Sequence, residues 1–296
     1  MNKEKTLFLI EANPNVDIFF NDWIKRGYHA EVLFKSKNKV SRAIRRYWLK
    51  YNLPFSHLWY NSWFDDLNKY EAVILHMSRL TRYMPFIIRK KYPDIRIICW
   101  YWNTVNEETV PIKSSDQRIE YWTFDDEDSE KYQMYKNIQY YCEPLSLDKK
   151  EIRSDIYFIG RSKGRTEKIN QVKKIAEKNG LVCDFRIVDG DDIVPYSEVK
   201  KSLLETRAVL EINKKDQVGF TLRAMESLFY EIKLITDNKH IKNEVFYNKD
   251  NIFILDEDKN ENLSDFLNKP YNHDSDIYKK DYDIDRWFIN FDENKR

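Results

Sequence analysis

The sequence predicts an α/β protein made of two doubly wound, Rossmann-like parallel sheets. Three observations carry this. Short, almost wholly apolar runs recur in both halves, a helical pattern separates each run from the next, and the charged, Pro-containing stretch 143–154 parts two such series. Near-continuous apolar strands are expected where helices cover both faces of a parallel sheet. A chain of 296 residues fits two domains of about 150 residues, each large enough to bury its own core.

In the first half, apolar runs at 7–11, 30–34, 72–76 and 95–102 alternate with helical patterns at 16–26, 40–51 and 84–91. Strand-like 118–122, an acidic helix near 125–136 and the run 138–142 complete it. In the second half the strand 156–160 leads into a helix that Asn179-Gly180 ends, as Gly past a helix commonly does. Strands at 181–188, 208–212, 233–236 and 251–255 follow, with helices at 197–205, 220–230 and near 240–246. The segment after 255 is polar and acidic until 283–291, which reads as a closing helix with aromatic anchors. The expected domains are therefore 1–145 and 150–270, with 271–296 packing back toward the first. Two such domains facing each other place a cleft at the carboxyl ends of their strands, where ligands of these folds bind.

Composition narrows the function classes. The 50 basic and 49 acidic residues nearly cancel, so no global basic field recruits nucleic acid. Residues 1–54 nonetheless carry 11 Lys/Arg against 5 Asp/Glu, and residues 250–296 carry 7 against 13. These opposite signs fit either a contact between the two ends or a basic surface facing an anionic partner. With 6 Gly and 8 Pro the chain is neither collagen-like nor low-complexity. It has no apolar run of the roughly 18 residues needed to span a bilayer. Three cysteines without close spacing and an opening MNKEK predict a cytoplasmic protein, either free or at the inner face of the cell membrane.

Two loops of the second half carry the strongest chemical signal. After the strand 156–160 the chain reads Gly160-Arg161-Ser162-Lys163-Gly164-Arg165, two glycines and three cations at a strand-to-helix turn. Glycine allows close backbone approach, and a helix start offers N–H groups and partial positive charge, so the turn is suited to a diphosphate. It matches neither the Walker A pattern nor G-x-G-x-x-G, and a solvated basic turn is the plainer reading. The second loop holds Gln217, Gly219 and Thr221 before a helix in which Leu222, Met225 and Phe229 form the buried face. Arg223 and Glu226 share the other side, where they form either a nucleotide-sugar site or an ordinary surface ion pair. The first reading assigns the helix N–H groups and Thr221 to phosphate, and Glu226 to sugar hydroxyls.

Taken together, Gly160-Arg161-x-Lys163-x-Arg165, Gln217-x-Gly219-x-Thr221-x-Arg223-x-x-Glu226-x-Leu228 and Lys233-Leu234-Ile235-Thr236-x-Asn238 resemble the C-terminal half of GT-B glycosyltransferases. The group most resembled is bacterial and serves lipopolysaccharide-core or capsular-polysaccharide biosynthesis. His76-Met77-Ser78-Arg79-Leu80, Trp100-Tyr101-Trp102-Asn103 and Trp122-x-Phe124-Asp125 resemble that group as well. The resemblance covers about residues 70–255. It implies a metal-independent enzyme, with a nucleotide-sugar donor, UDP-linked by expectation, on the C-terminal domain. The N-terminal domain would hold a glycan or lipid-linked saccharide acceptor, although Glu11-Ala12-Asn13-Pro14-Asn15 replaces the Gly-rich loop that many GT-B enzymes carry there.

An inverting enzyme needs a general base, and His76, of the residue type that titrates near neutrality, is the first candidate and Asp17 the second. Asn13, Arg79 and Asn103 lie on neighbouring loops and are expected to orient the acceptor. Asp126-Glu127-Asp128 matches the D-x-D pattern of metal-dependent transferases, the first rival, yet acids also gather at helix starts, which is the favoured reading. A nucleotide- or glycan-binding protein without turnover is the second rival.

Along 40–51, Val40, Ala43, Ile44, Tyr47, Trp48 and Tyr51 form an apolar stripe, with Arg42, Arg45 and Arg46 opposite. The stripe either packs on the sheet, the commoner outcome, or lies on an anionic bilayer as a peripheral membrane contact.

Overall fold

The computed structural model describes the chain except residues 12–16, 36–37, 143, 145, 163, 189–193, 214–218 and 295–296, and the side chains of Asp17 and Ile18. The chain divides into two compact units, Met1–Ile138 with Phe288–Arg296, and Gln139–Trp287. The division falls ahead of the expected 143–154 stretch, because Tyr140 packs on Trp287, with ring centroids 4.3 Å apart, and Tyr141 on Phe229 at 5.1 Å. Instead of a strand at 138–142, Tyr141 makes only an isolated bridge to Asp283.

The first unit runs β1 (Thr6–Ile10), α1 (Asp17–Lys25), β2 (His29–Val32), α2 (Lys39–Lys50), α3 (Trp63–Asp66), β3 (Ala72–His76), α4 (Met84–Lys91), β4 (Arg96–Tyr101), β5 (Ile119–Thr123), α5 (Asp126–Tyr132) and β6 (Tyr135–Lys136). Its strands form one sheet in the order β2-β1-β3-β4-β5-β6, every pair parallel. All residues of β1 and β3 are buried, as expected of strands covered on both faces. One face packs Leu7, Leu9, Val73 and Leu75 against Trp63, Leu67 and Ile88.

The other face is closed partly by the end of the chain. The last helix of the chain, Ile284–Glu293, places Phe288 6.1 Å from Phe8 and Phe291 4.9 Å from Trp122. Arg96 ties this segment down: it grips both carboxylate oxygens of buried Glu120 at 2.8 and 3.0 Å, pairs with Asp292 at 2.5 Å and donates to the Phe291 carbonyl at 2.6 Å. Asp292 also takes the N-terminal amine, so the acidic end does meet the basic beginning at this point.

The second unit runs β7 (Ser154–Gly160), α6 (Thr166–Lys178), β8 (Cys183–Ile187), α7 (Tyr196–Leu204), β9 (Thr206–Glu211), α8 (Leu222–Tyr230), β10 (Lys233–Thr236), β11 (Ile252–Ile254) and α9 (Leu263–Asn268), and the closing helix becomes α10. The sheet order is β11-β10-β9-β7-β8, again wholly parallel. Ile169, Val172 and Ala176, at i, i+3 and i+7 of α6, reach the core beside Phe158 and Leu210. Gly180, at φ +75°, closes α6 as expected. The pattern near 240–246 is a 3₁₀ turn, Lys239–Asn243, capped by Asn238.

In both sheets the second strand lies on one side of the first and the third on the other, which is the doubly wound arrangement. The order reverses between β1 and β3, and between β7 and β9, and the loops leaving those strands are where ligands of such sheets sit.

The packing expectation for α2 is corrected. Arg45 and Leu49 are its buried residues, while Val40, Ile44, Tyr47 and Tyr51 are exposed. Leu49 joins Phe34 and Tyr60 in the core. Arg45 lies flat over Phe34, 4.3 Å from the ring centroid, and donates to the Lys35 carbonyl, so a cation's stem packs where an aliphatic residue was expected.

Candidate functional site

In the second unit, the reversal point of the sheet joins the two loops singled out by sequence. Gly160 ends β7, and a Cβ placed there would come within 3.1 Å of an Arg165 Nη and 3.3 Å of Phe158, so glycine lets the guanidinium fold against the strand end. Arg165 donates to the carbonyls of Arg161 and Ile212 and lies over the Phe158 ring. Arg223 approaches from α8 and donates to the Ile159 carbonyl at 3.0 Å. Two guanidinium groups are thus anchored to the carbonyl ends of β7 and β9. Burial, and then the charge of Arg223, lower the pKa of Arg165. Arg165 makes no ion pair among the described residues, whereas Arg223 pairs with Glu226.

Glu226 is fully buried. One carboxylate oxygen pairs with Arg223 and the other accepts from the Tyr196 hydroxyl at 2.7 Å, which itself lies 2.7 Å from the Tyr141 hydroxyl. Burial alone lowers the pKa of Arg223, but Glu226 and Tyr196 outweigh it and the net shift is upward. Burial, then Glu226, raises the Tyr196 hydroxyl well above its ordinary range, so it stays protonated as a donor. The expectation that Glu226 grips sugar hydroxyls is revised: its oxygens are engaged in holding Arg223, and the pair is not a surface one.

Thr221 is revised likewise. Its hydroxyl caps α8 by accepting from the Arg223 N–H at 3.1 Å, and its own N–H donates to Glu211 at 2.7 Å. Glu211, at the end of β9, also accepts from Thr236 at 2.6 Å; burial raises its pKa. With Ala224 N–H bonded to the Thr221 carbonyl, the start of α8 is largely satisfied from within. The start of α6 is different, since Arg165 at its N-cap supplies no side-chain cap bond. The start of α6 lies at this site, beside the two guanidinium groups. Lys168, one turn into α6, pairs with Asp237 at 3.2 Å and Asp256 at 3.4 Å. Arg161 is exposed, and Gly219 accepts from the Asn213 side chain at 3.3 Å. Lys163 and Gln217 lie outside the described residues.

Sequence reasoning missed Glu211 and Tyr196. An acid closing an otherwise apolar strand, AVLEI, was the available signal for Glu211, because a carboxylate there must find donors among the loops. Nothing in the sequence marks Tyr196.

In the first unit, His76 ends β3, buried, with its ring 5.4 Å from Trp23 and 5.3 Å from Trp102. Its Nε2 has no hydrogen-bond partner among the described residues. Burial lowers its pKa from 6.5 to about 3, so the expectation of a group titrating near neutrality is corrected. Arg79 is exposed and pairs with Glu108 at 3.1 Å, which joins the loops after β3 and β4. Asn103 is exposed just beyond β4. Glu11, at the end of β1, accepts from Ser78 at 3.3 Å. Asn13 and the Asp17 side chain lie outside the described residues.

The D-x-D acids do what helix-start acids do. Asp125 caps α5 by accepting from the Asp128 N–H at 3.1 Å, Asp128 accepts from the Val105 N–H at 2.7 Å, and Asp126 pairs with Lys136. Among the described residues, Glu231, His273 and Asp276 bring three possible metal-ligand atoms within 4.8 Å of one another. Lys279 already pairs with both of its carboxylates, 2.9 Å from Glu231 and 3.2 Å from Asp276.

No protein-family model matches the chain, nor does any curated protein sequence. Among solved structures it is similar to TarM at 11% identity and a TM-score of 0.43, over 73% of this chain and 52% of that one, so it spans about half the length of TarM. It is also similar to a 5-methylthioribose transporter solute binding protein from Thermotoga lettingae bound to 5-methylthioribose. That match has 11% identity and a TM-score of 0.21 over 79% of this chain and 69% of the other. Likenesses this slight carry no functional weight, and the reading below rests on the chain's own residues.

Proposed function

We propose that the chain is a glycosyltransferase that takes a nucleoside diphosphate sugar, UDP-linked, at the reversal point of its second sheet. The acceptor would be a hydroxyl of a bacterial surface-glycan intermediate. One observation carries the reading: Arg165, a half-buried cation with no ion pair among the described residues, stands beside Arg223 at the start of α6. Such a place favours an anion, and preorganised donors there stabilise the negative charge that develops on a departing diphosphate. The motif resemblance supports the sugar-transfer chemistry. In this reading Arg165 and Arg223 face the diphosphate, Gly160 gives close approach, Arg161 and Gly219 lie on the loops around it, and Lys163 and Gln217 are further proposed donor contacts. Glu226 and Thr221 act as positioning residues, through Arg223 and the start of α8.

The first unit would hold the acceptor, with Arg79 and Asn103 on loops at the carboxyl ends of its strands and Asn13 a further proposed contact. His76, neutral and walled by tryptophans, is not assigned the proton. Asp17, opening α1 after β1, is the carboxylate proposed to take it.

Calorimetry with UDP tests the site. Wild type is expected to bind, and Arg165→Ala to bind at least tenfold more weakly with an unchanged melting temperature, the loss of one charge-assisted contact. Equal affinity in the variant, or no binding by wild type, would remove the assignment. A panel of UDP-sugars then reports donor hydrolysis, and UDP binding without turnover of any donor would identify a non-catalytic nucleotide binder instead.

A further inference from the structure

Exposed large apolar side chains are concentrated in one stretch of the first unit. Val40, Ile44, Tyr47 and Tyr51 recur at i, i+4, i+7 and i+11 along α2 and its C-cap, so they share one helix face, and Phe55 and Leu58 follow directly after it. Each of the six is between 48% and 69% exposed. The helix is held from the opposite side by Leu49 and Arg45, so this face is turned outward by the packing of the unit itself. Phe55 keeps its exposed ring on a left-handed backbone, at φ +61°, which a bulky residue seldom adopts.

Along α2 itself the charge has one sign. Lys39 and Lys50 border the face on α2, exposed Arg42 and Arg46 lie round toward the Leu49 side, and no Asp or Glu occurs from residue 32 to residue 64. Arg42 and Arg46 are exposed and make no ion pair among the described residues. Among those residues no helix is long and apolar enough to cross a membrane, so an association with lipid would have to be of the surface-lying kind. An outward apolar stripe with aromatic rings, edged by Lys39 and Lys50 on a helix without acids, is complementary to a bilayer bearing anionic headgroups. The rings and aliphatic chains enter the boundary between headgroup and acyl chain while the cations meet phosphate.

We infer that α2 and the turn after it form a docking surface for an anionic lipid bilayer, independent of the site in the second unit.

Flotation with vesicles tests this, using the whole chain at low and physiological salt. Wild type is expected to float with vesicles of phosphatidylglycerol and phosphatidylcholine, but not with phosphatidylcholine alone, and to come off as salt rises. Lys39→Glu/Lys50→Glu is expected to lower partitioning roughly a thousandfold, as four units of charge near an anionic surface are changed. Ile44→Asp/Tyr47→Asp is expected to abolish flotation with cations intact. Both pairs are surface substitutions, and an unchanged melting temperature confirms the fold. No flotation of wild type on anionic vesicles at low salt would overturn the proposal. So would equal binding to uncharged vesicles, or binding that neither variant alters. Self-association in light scattering that Ile44→Asp/Tyr47→Asp removes, in a wild type that ignores vesicles, would instead make the face a contact between copies.

Discussion

Glu226→Ala is expected to destabilise the protein by about 3–5 kcal/mol, read as a lowered midpoint in urea, because it leaves the Arg223 guanidinium in the interior without its counter-charge. The geometry supports a value of this size: Glu226 is fully buried, the Arg223 side chain is only 19% exposed, and the Tyr196 hydroxyl also loses its acceptor. Glu226→Gln keeps the volume and an acceptor for Tyr196 but not the charge, and is expected to fall between alanine and wild type. The double change Arg223→Met/Glu226→Leu removes both charges together and is expected to recover much of the stability, since apolar replacements of buried ion pairs are often close to neutral. It should still lose UDP affinity, which separates the pair's structural part from its proposed contact with ligand. A midpoint for Glu226→Ala within about 0.5 kcal/mol of wild type would show the pair to be of the ordinary surface kind.

A second large effect concerns acid. In the unfolded chain the His76 imidazole takes a proton near 6.5, and in the folded protein burial defers this to about 3. Between those values the unfolded state binds the extra proton, so stability falls as pH drops through that window and is unaffected by this group above it. The slope reaches at most about 1.4 kcal/mol per pH unit, and the whole contribution is roughly 5 kcal/mol by the acid end. Other groups titrate there too, so the measurement is the difference between wild type and His76→Leu in urea midpoints from pH 7 to pH 4. The leucine variant is expected to match wild type at neutral pH, where Nε2 has no partner to lose, and to gain on it steadily below pH 6. Parallel curves for the two proteins would mean that the imidazole reaches solvent and protonates normally.

The parts of the fold that were legible were those fixed by local pattern. The runs at 72–76 and 233–236 coincide with β3 and β10, and Asn179-Gly180 marks the end of α6, because burial on both faces and a left-handed C-terminal residue leave direct traces in sequence. The direction of α2 was not legible. A stripe at helical spacing states that the two sides differ, and only the tertiary neighbours, here Phe34 and Tyr60 receiving Leu49 and the stem of Arg45, decide which side turns inward. The site was partly legible for the same reason. Gly160, Arg165 and Arg223 follow from strand-to-helix loops in a doubly wound sheet. The burial of Glu226 does not, because α8 is enclosed on its outer side by α7 and by the segment His273–Asp281, which reads in sequence as a polar tail. His76 is a similar case: the tryptophans that dry it come from α1 and from just beyond β4.

The seating of α10 has a consequence for how the molecule comes into being. Residues 139–287 form a continuous stretch that can mature as soon as it leaves the ribosome, whereas the unit begun before it needs Phe288, Phe291 and Asp292, which are made after it. At ordinary rates of translation the interval is of the order of ten to thirty seconds. Of the two units the one begun first is thus completed second, and during the wait Phe8 and Trp122 lack the cover of Phe288 and Phe291, the stage at which a chaperone has most to protect.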